Sequence, residues 1–234
     1  MTSAIIVAAG RGTRMGPEVD KLFLQVAGRP VVAHTWLRFD RSREIDEVVL
    51  VIRAGLDAAF KEIGAALELT KPWRAVTGGA ERQDSVWNGL QAVSSDLVAI
   101  QDGARPCTPD QVIHDTLAAA RETGAAVAAQ RVTDTIKESE DGSLITRNVD
   151  RSRLWAVQTP QCFGLEVIRK ALEAVRRKGL VVTDDTAACE LIGQPVKLVP
   201  SVTPNPKVTV PADLHYIELL LRGANLRFPQ GSEP

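Results

Sequence analysis

The sequence contains few residues of the types that build disulfide or transition-metal sites. Its three cysteines, Cys107, Cys162 and Cys189, are an odd number at wide spacings, which supports neither a disulfide framework nor a zinc knuckle. The three histidines are equally scattered, with no two of them one helical turn apart. The sequence therefore predicts no transition-metal site, and the cysteines are interpreted as small buried or half-buried side chains.

Long apolar runs and aromatic residues are also scarce. No apolar run approaches the ~20 residues of a membrane-spanning helix, and the N-terminus leads into a strand pattern without the segments of a signal peptide. A net charge of −1 and an aromatic content of 4% provide neither the basic surface nor the stacking residues of a nucleic-acid-binding protein. These absences predict a cytoplasmic protein that binds neither membranes nor nucleic acids.

The remaining pattern indicates one α/β domain over residues 1–234, in which 44% apolar side chains suffice for a sizeable core. Short β-branched runs alternate with longer segments of helical period, which predicts a Rossmann-like, mostly parallel twisted sheet flanked by helices. Strands are predicted at 4–8, 47–52, 74–76, 97–101, 125–130 and 196–199. Helices are predicted at 30–39, 56–67, 84–93 and 110–122, with two more near Leu165 and after Pro211.

The segment 131–157 interrupts this alternation. Residues 133–137 and 144–149 are predicted to be strands, and Asp141-Gly142 between them favours a turn. The segment is therefore interpreted as a β-hairpin arm added to the sheet. Because an isolated two-stranded hairpin is only marginally stable in water, the arm is expected to pack on something else, such as a second subunit.

A glycine-rich segment, AAGRGTRMGPEVDK at residues 8–21, follows the first predicted strand. It does not match the dinucleotide-binding fingerprint, because Met15 occupies the position of the third glycine and no acidic residue lies between Lys21 and Asp40. It is not a P-loop either, because Lys21 follows Asp20 rather than a glycine. Both familiar phosphate-binding motifs are excluded.

What remains is an anion-binding turn. Glycines such as Gly10 and Gly12 let backbone N–H groups approach a phosphate closely, and Arg14 and Lys21 add positive charge from the same segment. A basic surface loop with glycines for its turn explains the segment equally well. Other segments have to decide between the two interpretations.

Two of these segments follow predicted strands, where open α/β sheets bind ligands. In TGGAERQDS, Gly78 and Gly79 leave room for a flat base and Ser85 begins the next helix. In NPKVTV, Lys207 is placed at the start of a strand. A plain turn and a solvated lysine are the alternatives for these two segments.

The third segment, QDGARP, places a carboxylate at a strand end. Asp102 is suited to hold a metal ion or a hydroxyl group there, although capping of a turn is an alternative role. Gly103 and Ala104 keep the floor of the site small, and Arg105 is fixed by the following Pro106.

Taken in order, the motifs AAGRGTRMG, TGGAERQDS, QDGARP, VTDTIK, VDR, LWAVQTPQ, TDDTA and NPKVTV resemble those of the 2-C-methyl-D-erythritol 4-phosphate cytidylyltransferases. These enzymes belong to the sugar-phosphate nucleotidyltransferase superfamily, and the resemblance runs from residue 4 to residue 214. It implies an enzyme that transfers CMP from CTP to that polyol phosphate in isoprenoid biosynthesis. It also implies Mg²⁺ or another divalent cation, and a homodimer formed through the arm.

The resemblance assigns roles residue by residue. Those implied for catalysis are Arg14, Lys21, Arg151 and Lys207. Those implied for the nucleotide are Ala8, Ala9, Gly10, Gly12, Gly78, Gly79, Ser85 and Asp102, the last also as the Mg²⁺ ligand. Those implied for the acceptor substrate are Asp102, Gly103, Arg105, Thr135, Arg151, Thr159 and Lys207, with Thr135 and Arg151 reaching into the neighbouring subunit's site.

The chain departs from the family pattern at several positions. Asp20 stands where the family commonly has proline, so its carboxylate either pairs with Lys21 or faces solvent. Gln101 stands where histidine is usual, Gly103 where alanine is usual, and Pro206 where isoleucine is common. A cytidylyltransferase for another polyol phosphate, such as ribitol 5-phosphate, and a non-catalytic nucleotide-binding module remain the alternatives.

Overall fold

A seven-stranded sheet forms the centre of the protein in a computed structural model that describes residues 1–10 and 20–223. Its strands are β1 (Thr2–Ala8), β4 (Glu47–Ile52), β5 (Trp73–Thr77), β6 (Leu97–Asp102), β7 (Ala125–Arg131), β10 (Trp155–Gly164) and β11 (Lys197–Pro200). They lie in the order β11-β7-β10-β6-β1-β4-β5. Only β10 runs antiparallel to its neighbours within this sheet. Two small hairpin sheets pair β2 (Gln25–Val26) with β3 (Arg29–Pro30) and β8 (Ile136–Glu138) with β9 (Arg147–Val149).

Helices cover both faces of the sheet. They are α1 (Val31–Arg41), α2 (Asp57–Ala66), α3 (Arg82–Gln91), α4 (Asp110–Thr123), α5 (Leu165–Lys178), α6 (Asp185–Glu190) and α7 (Asp213–Arg222). One apolar cluster includes Trp36 of α1 and Ile113 of α4, and the other includes Leu90 of α3 and Ile168 of α5. Among the described residues, no helix has the length and apolar character to cross a membrane.

The burial of both sheet faces explains the sequences of the central strands. All six residues of β4, EVVLVI, are buried, and β1 and β6 are nearly as apolar. Strands sandwiched between helices carry apolar side chains on both sides, so their sequences are continuous rather than alternating. These runs gave the clearest strand predictions, and the predicted fold class is confirmed.

The structure corrects several predicted elements. The strand β10 and the helix α6 were not predicted, and α3 begins at Arg82 rather than at 84. The strand β10 was missed because its middle contains the buried residues Gln158, Pro160 and Gln161, and polar residues and a proline do not match the pattern of a central strand. The pairing of β10 with β7 also shifts register between Val157 and Gln161. The hairpin arm is present, but its strands span only three residues each.

Candidate active site

The carboxyl ends of four neighbouring parallel strands meet at one edge of the sheet. The segments that follow β1, β5 and β6 supply most of the predicted site residues, as expected for an open α/β sheet. A cavity of about 190 Å³ opens there. The predicted site residues that line it are Ala9, Gly10, Lys21, Gly79, Ser85, Asp102, Gly103 and Lys207.

The two glycines after β5 are required by close packing against Ala9 and α3. A Cβ on Gly78 would lie 2.4 Å from Cβ of Ala9 and 2.8 Å from Oγ of Ser85, and one on Gly79 would lie 2.3 Å from Cβ of Asp84. Ser85 does not begin the helix as predicted, because Glu81 caps it and pairs with Asp84 in a capping box. Instead, the Ser85 hydroxyl accepts the N–H of Gly79 at 3.1 Å and so fixes this loop.

Asp102 lies at the centre of a cluster of cations. Its Oδ2 accepts from Nζ of Lys207 at 2.7 Å and lies 3.7 Å from Nε of Arg105, and its Oδ1 lies 3.6 Å from Nε of Arg82. Burial alone, the largest influence, would raise the pKa of this carboxyl group. The attraction of Lys207, Arg82 and Arg105 outweighs burial and lowers the pKa of Asp102 to about 2, so the carboxylate is ionised at neutral pH.

Arg82 connects this cluster to a second carboxylate, Asp185, that is fully buried at the start of α6. Nη1 of Arg82 donates to Oδ2 of Asp185 at 2.8 Å, while Oδ1 of Asp185 has no hydrogen-bond partner within the described part of the chain. Burial raises the pKa of Asp185, although Arg82 opposes that rise. Neither residue was predicted as a site residue, and only their places within TGGAERQDS and TDDTA could have indicated them.

A second cavity of about 250 Å³ adjoins the first and shares Arg82, Asp102 and Lys207 with it. The predicted residues Arg105 and Thr159 line only this second cavity. The hydroxyl of Thr159 accepts the backbone N–H of Asp102 at 3.1 Å, which ties β10 to the end of β6. The charged side chains of Arg82, Asp102 and Lys207 therefore lie where the two cavities adjoin.

Lys207 reaches this position from an irregular segment, not from the predicted strand. Pro204 and Pro206 lack the N–H donors that a central strand needs. The buried Asn205 holds the segment instead, because its side chain donates to the carbonyl of Thr159 at 2.8 Å and its own carbonyl accepts from Nη1 of Arg105 at 2.6 Å.

Gln101, one of the departures from the family pattern, supports the same segment. It is fully buried, and its Nε2 donates to the hydroxyl of Thr108 at 2.8 Å. That hydroxyl in turn donates to the side-chain oxygen of Asn205 at 3.0 Å. Gln101 is therefore connected through Thr108 to the segment that carries Lys207.

The glycine-rich segment is described only at its two ends. Lys21 lines the first cavity and donates from Nζ to the carbonyl of Val208 at 2.9 Å. The carboxylate of Asp20 forms an ion pair with Arg53, which neither of the two predicted alternatives anticipated. The predicted residues Gly12 and Arg14 lie outside the described residues.

The remaining predicted site residues do not line either cavity. Ala8 is buried at the end of β1, beneath the site. Thr135 and Arg151 are exposed in the arm, where Nη1 of Arg151 donates to the carbonyl of Thr133. The single chain therefore does not bring these two arm residues to the site.

The donor set around Asp102 bears on the predicted divalent cation. Across residues 1–10 and 20–223, no group of three or more histidine, cysteine, aspartate or glutamate side chains is placed to hold a metal ion. Asp102 is the one predicted ligand, and it already contacts Lys207. This arrangement fits a Mg²⁺ ion that takes one carboxylate from the protein and its other ligands from substrate phosphates and water.

An open α/β sheet with glycine-rich turns at its carboxyl edge is typical of nucleotide-binding proteins, and a cationic cluster where two cavities adjoin suits phosphate-bearing ligands, as in the nucleotidyltransferases. A family model described as IspD, 2-C-methyl-D-erythritol 4-phosphate cytidylyltransferase, matches residues 2–223. The chain belongs to this family.

Individual relatives agree with that assignment. The 2-C-methyl-D-erythritol 4-phosphate cytidylyltransferase of Geobacillus kaustophilus is 42% identical over 219 residues, covering 93% of this chain and 96% of that protein. The 4-diphosphocytidyl-2C-methyl-D-erythritol synthase structure from Anaerococcus prevotii matches with a TM-score of 0.83 at 32% identity, covering 94% of this chain and 96% of that chain. The cytidylyltransferase structure from Thermus thermophilus matches with a TM-score of 0.78 at 35% identity, covering 95% and 100%.

Proposed function

We propose that this protein transfers CMP from CTP to 2-C-methyl-D-erythritol 4-phosphate, a step in isoprenoid precursor synthesis, as a single nucleotidyltransferase domain of the cytoplasm. A phosphate oxygen of the acceptor forms a bond to the α-phosphorus of CTP, the bond from that phosphorus to the bridging oxygen breaks, and pyrophosphate leaves. The observation that carries the proposal is the cationic cluster of Arg82, Arg105 and Lys207 around Asp102, at the place where two cavities adjoin. Family membership supports the same reaction.

The chemistry explains why cations predominate among the described residues of the site. A phosphate oxygen is already anionic at neutral pH, so the attack needs no general base. The difficulty is that two polyanionic substrates repel each other. Positioned cations reduce this repulsion and stabilise the charge that develops in the transition state. We assign Lys21 and Arg14 to the triphosphate and Lys207 and Arg105 to the acceptor phosphate.

The nucleotide would occupy the first cavity. Ala8, Ala9, Gly10 and Gly12 are assigned to the backbone wall around the phosphates, and Gly78, Gly79 and Ser85 to the base or ribose. Gly103 and Thr159 would bound the space where the acceptor meets CTP. The support for this division is that Lys21, Gly79 and Ser85 line only the first cavity, while Arg105 and Thr159 line only the second.

A divalent cation is part of the proposal. Asp102 would hold Mg²⁺ together with phosphate oxygens, and the ion would neutralise charge on the leaving pyrophosphate when it is bound. Activity should then be lost when EDTA is added and return when Mg²⁺ is restored. Activity that persists at an excess of EDTA would remove the cation from the proposal.

The arm is proposed to complete the site of a second subunit. Leu144 and Ile145 at its tip are 74% and 67% exposed, and each strand of the arm is only three residues long, so it gains little stability alone. Thr135 and Arg151 would act in the partner's site, with Arg151 on the acceptor phosphate. Mixing the inactive variants Arg151→Ala and Lys207→Met should restore activity, because mixed dimers contain one site with both residues intact. A monomer by light scattering, or no restored activity, would contradict the shared site.

The reaction itself is tested by measuring pyrophosphate release. CTP and the other nucleoside triphosphates would each be offered with 2-C-methyl-D-erythritol 4-phosphate and with ribitol 5-phosphate. CTP with the first acceptor should be the preferred pair, and preference for ribitol 5-phosphate would identify the alternative cytidylyltransferase. Absence of turnover with every pair would favour the non-catalytic nucleotide-binding module.

A further inference from the structure

Arg53 lies where the two described ends of the glycine-rich segment approach the sheet. It directly follows β4, the neighbour of β1, and the last residues of these strands, Ile52 and Ala8, are paired in register. Gly10 follows two residues after Ala8, so Gly10 and Arg53 leave the sheet side by side. Asp20, which replaces the proline common in the family, directly precedes Lys21 at the other end of the segment.

One guanidinium group contacts both ends of the segment. Nη2 of Arg53 pairs with the carboxylate of Asp20, and Nη1 donates to the carbonyl of Gly10 at 3.4 Å. The side chains of Arg53 and Asp20 are 25% and 20% exposed, so the pair is largely shielded from solvent. The other oxygen of Asp20 accepts the N–H of Leu22 at 3.1 Å, which fixes the carboxylate relative to the turn that contains Lys21.

We propose that Arg53 is a positioning residue for the nucleotide end of the site, holding Gly10 and Asp20 together so that Gly10 and Lys21 face the same cavity. Gly10 and Lys21 line the 190 Å³ cavity, whereas Arg53 and Asp20 do not. Arg53 therefore acts through its neighbours rather than on the substrate. This inference rests on the proposed function, because it assumes that the cavity receives CTP.

The guanidinium has two separable effects. It bridges two groups at once through its planar fork of donors, which the single ammonium of lysine cannot reproduce. It also offsets the negative charge of Asp20, which lies next to Lys21 and would otherwise oppose a triphosphate. Loss of Arg53 should therefore weaken CTP binding both by misplacing Gly10 and Lys21 and by leaving Asp20 unpaired.

The test compares Arg53→Ala, Arg53→Lys and the double variant Asp20→Asn/Arg53→Ala with the wild type. Arg74→Ala is the matched control, because Arg74 forms a 2.7 Å ion pair with Glu47 at the opposite end of β4. Calorimetry would give the Kd for CTP, steady-state kinetics the KM values for CTP and for 2-C-methyl-D-erythritol 4-phosphate, and thermal unfolding the Tm. The calorimetric Kd does not depend on turnover.

Arg53→Ala should raise the Kd and KM for CTP by about tenfold or more, while the KM for the acceptor changes by less than about threefold. Arg53→Lys should remain impaired, and the double variant should regain part of the CTP affinity because the unpaired charge is gone. Equal effects of Arg53→Ala and Arg74→Ala on the Kd, or full rescue by lysine, would overturn the inference. A wild type that binds CTP without turnover would refute the proposed function and leave the Kd comparison decisive. A wild type that does not bind CTP would overturn both.

Discussion

The ion pair between Arg82 and Asp185 yields a prediction whose size follows from burial. In Arg82→Met the fully buried Asp185 loses its cation, while its second oxygen already has no hydrogen-bond partner in the described part of the chain. Removing one partner of a buried ion pair costs about 3–5 kcal/mol. Because the side chain of Arg82 is 28% exposed and water can enter in its place, we expect about 2–3 kcal/mol here.

The pH dependence of this loss has a defined sign. The pKa of Asp185 in the folded state lies above the usual value of an aspartate, mainly because of burial. Its contribution therefore favours folding most at low pH and is lost as the pH rises through the folded-state pKa. Without Arg82 that pKa rises further. Arg82→Met should therefore become more destabilised, relative to the wild type, as the pH is raised.

Urea unfolding followed by the fluorescence of the four tryptophans would measure both effects. The double variant Arg82→Met/Asp185→Asn should recover at least about 1 kcal/mol, because an amide costs less to bury than an unpaired carboxylate. A free energy of unfolding for Arg82→Met within about 0.5 kcal/mol of the wild type would refute the reasoning. A double variant no more stable than Arg82→Met would do the same.

Three further predictions concern packing, thiol reactivity and the central carboxylate. Gly78→Ala should destabilise the protein by about 1–3 kcal/mol in urea, since its Cβ would lie 2.4 Å from Cβ of Ala9; unchanged stability would contradict the packing described here. The native protein should react negligibly with a disulfide reagent at pH 8, and its three thiols should react only after denaturation. The reason is that burial raises the thiol pKa to about 11 at Cys107, to about 12 at Cys189 and above its usual value at Cys162. Rapid labelling of the native protein would count against this. The stability contributed by Asp102 should be complete above pH ~4 and lost towards its folded-state pKa of about 2, and Lys207→Met should move that loss to higher pH; identical urea profiles from pH 2 to 5 would argue against the ion pair.

The parts of the fold that could be predicted from the sequence are those whose residue types directly reflect burial. The apolar runs of β1, β4 and β6 could be identified because both faces of those strands are buried. Gly10 lies two residues beyond the end of β1, and Asp102 is the last residue of β6. Lys207 was recognised through its motif, but the irregular backbone around it was not predicted. Pro204 and Pro206 remove strand hydrogen bonds, and the sequence does not show which contacts replace them.

The missed features depend on contacts between distant segments. Arg82 and Asp185 are 103 positions apart in the sequence, and nothing local distinguishes either from a solvated charge. The same holds for Asp20 and Arg53. The pairing of β1 with β4 brings Arg53 next to Asp20, so the carboxylate of Asp20 pairs with this arginine rather than with Lys21 or solvent. Buried polar pairs of this kind can be identified only once the order of the strands in the sheet is known.

The central claim is that this chain makes 4-diphosphocytidyl-2-C-methyl-D-erythritol, and a competition experiment tests it most directly. Equal concentrations of 2-C-methyl-D-erythritol 4-phosphate and ribitol 5-phosphate would be incubated with limiting CTP, Mg²⁺ and the protein, and the products would be identified by mass. The account predicts that nearly all CMP is transferred to the methylerythritol phosphate, with an equal amount of pyrophosphate released. Formation mainly of the ribitol product, or consumption of no CTP at all, would contradict it.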